Sequence, residues 1–170
     1  MSRQSKILAQ SGLIAALYVA LTLVSTALGL SSGAVQVRFS EALCLLPILT
    51  PAAIPGLTIG CLLANVLSGC ILWDVVFGSL ATLLGALGTY ALRRRYPALA
   101  ALPPILSNVI IVPLVLAYAY HIDEAIPYMM LTVGAGEVIS VGVLGLLFLS
   151  ALRRTGADRK IERSLTSPSI

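Results

Sequence analysis

Charge is what this chain has least of. Asp, Glu, Lys and Arg make up 11% of its 170 residues, whereas a soluble domain carries about 25%. Aromatic residues are sparse too, at 6% with one Trp, and there is one His. His121 lies in a short polar loop and cannot build a metal site alone. Cys44, Cys61 and Cys70 are an odd number with no CxxC spacing. They are expected to be small buried hydrophobes, not metal ligands or a disulfide. The chain has no lysine-bearing phosphate loop and no HExxH, so the motifs of P-loop NTPases and of zinc peptidases are missing. Gly134-Ala135-Gly136 is a lone GxG and carries no weight. The basic residues have no aromatic stripe interleaved with them, which argues against nucleic acid. Neither an enzyme nor a resident cofactor is expected.

What is present is oil. Hydrophobic residues make up 58% of the chain, and the mean hydropathy is +0.99. That composition reads as an all-α integral membrane protein. Apolar segments fall at about 7–30, 39–50, 52–69, 73–92, 103–120 and 126–152, and a chain crossing lipid has to satisfy its backbone internally, as helices do. Six membrane helices in one domain, 1–152, are expected. A polar tail, 153–170, would form a short amphipathic end that fades into disorder. Arg3 and Lys6 precede the first apolar run as in a signal peptide. The run is too long for one and has no clear cleavage site, so it is read as a retained helix. The second segment covers only about 18 Å at 1.5 Å per residue, less than a hydrocarbon core of about 30 Å. Pro51 and Pro55 punctuate the passage that follows it. Pro103 and Pro104 suit a first helical turn, and Pro113 should kink the fifth segment.

Charge also orients the chain. With the N-terminus inside and six crossings, ten of the eleven Lys and Arg fall on the cytoplasmic side: Arg3, Lys6, Arg93, Arg94, Arg95, Arg153, Arg154, Arg159, Lys160 and Arg163. Only Arg38 falls outside. This satisfies the positive-inside rule, and the expected topology has both termini in the cytoplasm.

On that topology polar residues from distant parts of the chain gather in the outer half. Arg38 and Glu41 open the second segment, three residues apart, and can face each other across one turn. Asn65 lies one turn from the outer end of the third segment. Pro47, Pro51 and Pro55 then read as the turn of a hairpin that brings both polar ends to one mouth. Trp73 and Asp74 begin the fourth segment, and Tyr118 and Tyr120 end the fifth. Asn108 and Glu137 lie about 16 Å below the outer surface by helical rise. Polar groups at such depth are costly and need a reason. Carboxylates, an amide and aromatics together suit a small, flat, polar solute. Plainer readings exist for several of them. Trp73, Tyr118 and Tyr120 fit an interfacial belt, Asp74 fits a helix cap, and Arg38 with Glu41 fits a headgroup-level ion pair. Glu137 is hardest to dismiss, because no Lys or Arg lies within 15 residues of it on its own segment. Gly12, Ala16 and Ala20 repeat every four residues along the first segment and leave a smooth face for another helix; Gly56 and Gly60 do so on the third.

Several runs are specific enough to carry a family resemblance. They are Val37-Arg38-Phe39-Ser40-Glu41-Ala42-Leu43, Thr50-Pro51-Ala52-Ala53-Ile54-Pro55-Gly56-Leu57, Gly60-Cys61-Leu62-Leu63-Ala64-Asn65, the stretch from Asp74 to Leu83, Leu102-Pro103-Pro104-Ile105-Leu106-Ser107-Asn108 and Gly134-Ala135-Gly136-Glu137. Together they resemble the QueT family over most of the chain. The resemblance implies a multi-pass S component of an energy-coupling factor (ECF) transporter in the bacterial plasma membrane. Such a subunit captures a queuosine precursor or queuine, a 7-deazaguanine, from outside. It would associate with a transmembrane coupling subunit and two cytoplasmic ATPases and topple in the membrane to release its cargo. In that family type a small-residue stripe on the first helix meets the coupling subunit, and Gly12, Ala16 and Ala20 match it.

A 7-deazaguanine also suits the polar set. One carboxylate, Glu137 or Glu41, would accept from its two adjacent N–H donors. Asn108 and Asn65 would take the remaining polar edge, Trp73 would stack, and Arg38 would hold Glu41 ionised. A cationic arm would want a second carboxylate, for which Asp74, Glu41 and Glu137 are candidates. The competing classes are an autonomous channel or facilitator, an intramembrane enzyme, and an S component for another vitamin-like solute. A channel needs a polar path through the inner half, where the segments are apolar.

Overall fold

The computed structural model describes residues 2–31, 35–96 and 99–166, with side chains through residue 161. Every described element is helical. Helix α1, Arg3–Ala27, is capped by Ser2, whose hydroxyl accepts from the Ser5 amide at 3.2 Å. A 3-10 helix, Phe39–Ile48, follows, and then α2, Ala53–Leu67, α3, Leu72–Leu92, and α4, Leu102–Tyr118. Helix α5, Ile126–Glu137, runs through a π-helical stretch, Val138–Gly145, into α6, Leu146–Thr155. Gly156 closes α6 in the left-handed conformation, φ 70°, and turns the chain into α7, Ala157–Thr166.

Three helices are long and apolar enough to cross a membrane: Arg3–Ala27, Leu72–Leu92 and the continuous rod Ile126–Thr155. Three apolar helices are shorter: Phe39–Ile48, Ala53–Leu67 and Leu102–Tyr118. Large apolar side chains cover the outside, among them Leu8, Leu13, Leu63, Leu131 and Leu147. A water-soluble protein of this size would not expose so much of its apolar surface. Ser and Thr on the helices use their hydroxyls locally. Ser11, Thr22 and Ser25 donate to carbonyls four residues back at 2.9–3.0 Å, so an apolar bundle can contain them without an orphaned donor.

The second segment differs in kind from its sequence expectation. It forms a ten-residue 3-10 helix in place of an α-helix, although runs beyond three or four residues are uncommon. Pro47 removes one amide from its ladder. The tighter coil is supported on all sides, because α1, α2, α3, α6 and the π-helical stretch all pack on it. Ser40 through Pro47 are buried without interruption. Its start is pinned twice, by the Phe39 amide donating to Ser25 Oγ at 2.8 Å and the Arg38 amide donating to Ser140 Oγ at 3.2 Å. Its far end turns over Thr50 to Ala52, where Thr50 donates to Gln10 Oε1 and Ser11 to the Ala52 carbonyl, both at 2.9 Å. The turn expected at the prolines is formed between the 3-10 helix and α2.

Helices α1 and α2 meet through glycine. A methyl built on Gly60 would stand 2.8 Å from Tyr18 Cβ and 3.1 Å from the Ala15 backbone, and Gly56 meets Ser11 and Ile14 at 2.9 Å. The opposite face of α1 is bare. Gly12, Ala16 and Ala20 are exposed, and a methyl on Gly12 would meet nothing within 4 Å. The sequence of the tail suggested a short amphipathic end fading into disorder. Its helix α7 folds back on α1, with Ile161 packed against the core; residues 167–170 lie outside the described residues.

Gly60→Ala is expected to destabilise the purified chain by about 1–3 kcal/mol through overpacking at the α1–α2 contact. Gly12→Ala should leave thermal stability unchanged or slightly raised, since a helical glycine costs about 0.5–1 kcal/mol relative to alanine. Thermal unfolding of both variants in the same detergent reads the contrast.

Candidate functional site

The bundle's polar residues are sorted into three places by the elements that carry them. The first is a cavity of about 310 Å³ whose lining includes Gln36 and Arg38 before the 3-10 helix, Cys70 and Asp74 at the start of α3, Asn108 on α4, Tyr120 after α4 and Glu137 at the end of α5. Val112, Leu116, Ile122 and Val133 supply apolar wall. The volume is at the lower edge of the range of about 300–1,000 Å³ typical of small-molecule sites. Glu137 and Asn108 meet there, with Asn108 Nδ2 donating to Glu137 Oε1 at 2.9 Å. The other carboxylate oxygen, Oε2, is buried and has no hydrogen-bond partner among the described residues. Leaving such an atom unsatisfied costs about 1–3 kcal/mol, and more for a charged group.

Glu137 owes its setting to two local features. Gly136 lies so close to the Gln36 carbonyl that any side chain there would collide with backbone, which draws the chain ahead of Arg38 against α5. Immediately after Glu137 the helix widens into the π-helical stretch, a distortion found mostly at functional positions. At the other end of the cavity Tyr120 donates to Asp74 Oδ2 at 3.1 Å and accepts from the Ile71 amide at 3.4 Å. Burial, then the Asp74 carboxylate, pushes the Tyr120 phenol up to about 12, so near neutral pH it keeps the proton it donates.

The second place is a buried knot behind the cavity. Glu41 is 3% exposed and is not among the cavity-lining residues. Its Oε1 accepts from the Tyr18 hydroxyl on α1, and its Oε2 accepts from the Cys44 thiol at 3.0 Å. The expected Arg38–Glu41 pair across one helical turn is not made. Arg38 is the N-cap, in extended conformation at φ −114° and ψ 117°, so the side-chain spacing of a helix does not apply to it. Among the described residues no carboxylate forms an ion pair with Arg38. Asn65 is likewise behind the site: its Nδ2 donates to the Asp74 carbonyl at 3.4 Å and approaches Cys61 Sγ at 3.7 Å. It steadies the start of α3 and does not line the cavity.

The third place is the outer surface. Trp73 and Tyr118, expected as a stacking wall and a pocket aromatic, are 59% and 72% exposed. They line a separate apolar groove of about 480 Å³ between α3 and α4, where Trp73 stacks on Phe77 with centroids 5.9 Å apart. The reason is helical phase. Trp73 and Asp74 are adjacent on α3, so they point about 100° apart, and only Asp74 turns inward. Sequence reasoning missed Tyr18, Cys44, Gln36 and Ser140. Tyr18 carried a usable signal, because a Tyr in the middle of a 25-residue helix is far from the interfacial depth where that residue is common.

Tyr18→Phe is expected to destabilise the purified chain by about 1–3 kcal/mol, because it takes one donor from a buried carboxylate. Solute affinity should change little, since Glu41 lies behind the cavity. Thermal unfolding and calorimetric titration of one preparation separate the two effects.

No curated protein and no solved structure matches the chain. A family model described as QueT transporter matches residues 8–154, which takes in the whole cavity and every helix from α2 to α5. The chain is a membrane protein that belongs to the QueT transporter family.

Proposed function

We propose that this chain is the substrate-capturing S component of an ECF-type importer and binds a queuosine precursor or queuine from outside the cell. The observation that carries the reading is the unpartnered Oε2 of Glu137, buried on a small polar cavity beside Asn108. A 7-deazaguanine presents a ring N–H and an exocyclic amine side by side, and a carboxylate can accept from both. Glu137 takes that edge in this account, and Asn108 holds it in register while offering its own amide. Arg38, which has no carboxylate partner among the described residues, donates to the ring carbonyl. Asp74 and Tyr120 stand at the outer rim. Glu41, Asn65, Trp73 and Tyr118 have supporting parts: the first two brace the cavity from behind, and the aromatics sit in the lipid interface.

The same reading places six spans in the bacterial plasma membrane with both termini cytoplasmic, following the distribution of Lys and Arg. Residues 1–152 form the membrane domain, and the tail lies along its inner face. A chain without a phosphate loop needs partners to supply ATP hydrolysis: a transmembrane coupling subunit and two ATPases. The exposed stripe Gly12, Ala16 and Ala20 is the face offered to the coupling subunit, because small residues let a foreign helix approach closely.

Glu137→Gln tests the reading. The substitution keeps the shape and turns one acceptor into a donor that faces the solute's own donors. Queuine affinity measured by calorimetry is expected to fall about tenfold or more, with the elution profile and thermal stability retained. Unchanged affinity would remove Glu137 from the site.

A further inference from the structure

We infer that the rim of the cavity, Asp74 fixed by Tyr120, selects solutes that carry a protonated amine on the side away from Glu137. The inference rests on the binding reading above and narrows it. Its first support is charge balance. Two carboxylates, Asp74 and Glu137, line the cavity, and Arg38 is the one Lys or Arg among its lining residues. A third carboxylate, Glu41, is buried three residues from Arg38 and behind the cavity lining. Three carboxylates around one guanidinium leave a negative excess even when one of them holds a proton. A neutral solute leaves that excess uncompensated in a low-dielectric bundle, and a cation offsets it.

The second support is polarity along the cavity. Asn108, well inside α4, and Glu137, at the end of α5 where the rod continues, form its floor. Asp74 and Tyr120 lie at the start of α3 and just past the end of α4, so they form its mouth. The two carboxylates therefore stand at opposite poles and cannot serve one amidine-like edge together. Tyr120 holds Asp74 by one oxygen, Oδ2. The acceptor capacity that remains on the carboxylate suits an ammonium, which brings three donors. On a 7-deazaguanine seated with its N–H edge at Glu137, a C7 arm leaves the five-membered ring away from that edge and toward the rim.

Two solutes with the same ring isolate the effect: the 7-aminomethyl compound, cationic at neutral pH, and the 7-cyano compound, which is neutral. Both are titrated calorimetrically into the full-length detergent-solubilised protein. The wild type is expected to bind the aminomethyl solute about tenfold or more tightly than the cyano solute, as a charge-assisted hydrogen bond implies. Asp74→Asn should erase most of that gap. Tyr120→Phe, which removes the hydroxyl that holds Asp74 and accepts from the Ile71 amide, should reduce the gap partway and provides the reading if Asp74→Asn does not purify. Equal affinities in the wild type, or a gap that survives at full size in the variants, would overturn the cation-selective rim. Binding of neither solute would instead overturn the 7-deazaguanine reading and this inference with it, a result distinct from binding both alike.

Discussion

A carboxylate placed inside an apolar bundle must find donors or give up its charge, and two such groups shape this molecule. Glu41 is fully provided for: Tyr18 serves one oxygen and Cys44 the other. Glu137 is half provided for, by Asn108 alone. The difference between them separates structure from function. The satisfied carboxylate ties α1 to the central 3-10 helix. The other is held by one hydrogen bond and lines a cavity. Isolated charges in a low-dielectric interior are costly enough that this arrangement persists only where something offsets the cost.

The rest of the fold supplies the geometry that this arrangement needs. Close helix contacts through Gly56 and Gly60 bring Tyr18 within reach of Glu41. Gly136 draws the chain ahead of the 3-10 helix against α5, so that Arg38 and Glu137, separated by about a hundred positions in sequence, line the same space. The 3-10 helix is strained as a type but enclosed by neighbours, with Pro47 near its end and hydroxyl acceptors at its start. Because the cavity is assembled from the ends of α3, α4 and α5 and the chain before the 3-10 helix, its shape depends on helix packing, not on any one loop.

Much of this was legible in the sequence, and the limits have physical causes. The helical segments, the apolar surface and the turn at the prolines follow from hydropathy and local propensity, which act over short stretches of chain. Arg38, Asp74, Asn108 and Glu137 were all singled out, and they do line one cavity. Glu41, Asn65, Trp73 and Tyr118 were assigned to the same mouth and stand elsewhere. Depth along a helix is readable from residue number, but the direction of a side chain around the axis depends on helical phase and on neighbours far away in sequence. The 3-10 geometry and the extended conformation at Arg38 changed that phase at Glu41. The partners of Glu41 come from α1 and from one 3-10 turn ahead, and only the Tyr at position 18 hinted at them.

The proposed role of Glu137 is to meet the donor edge of a 7-deazaguanine with its open oxygen. The most direct measurement is mass spectrometry of the small molecule released on denaturing the protein after gentle purification from cells that make or take up such bases. The expected result is a 7-deazaguanine, near one per chain, that is absent from a Glu137→Gln preparation. A stoichiometric solute of unrelated chemistry, retained equally by both preparations, would contradict it.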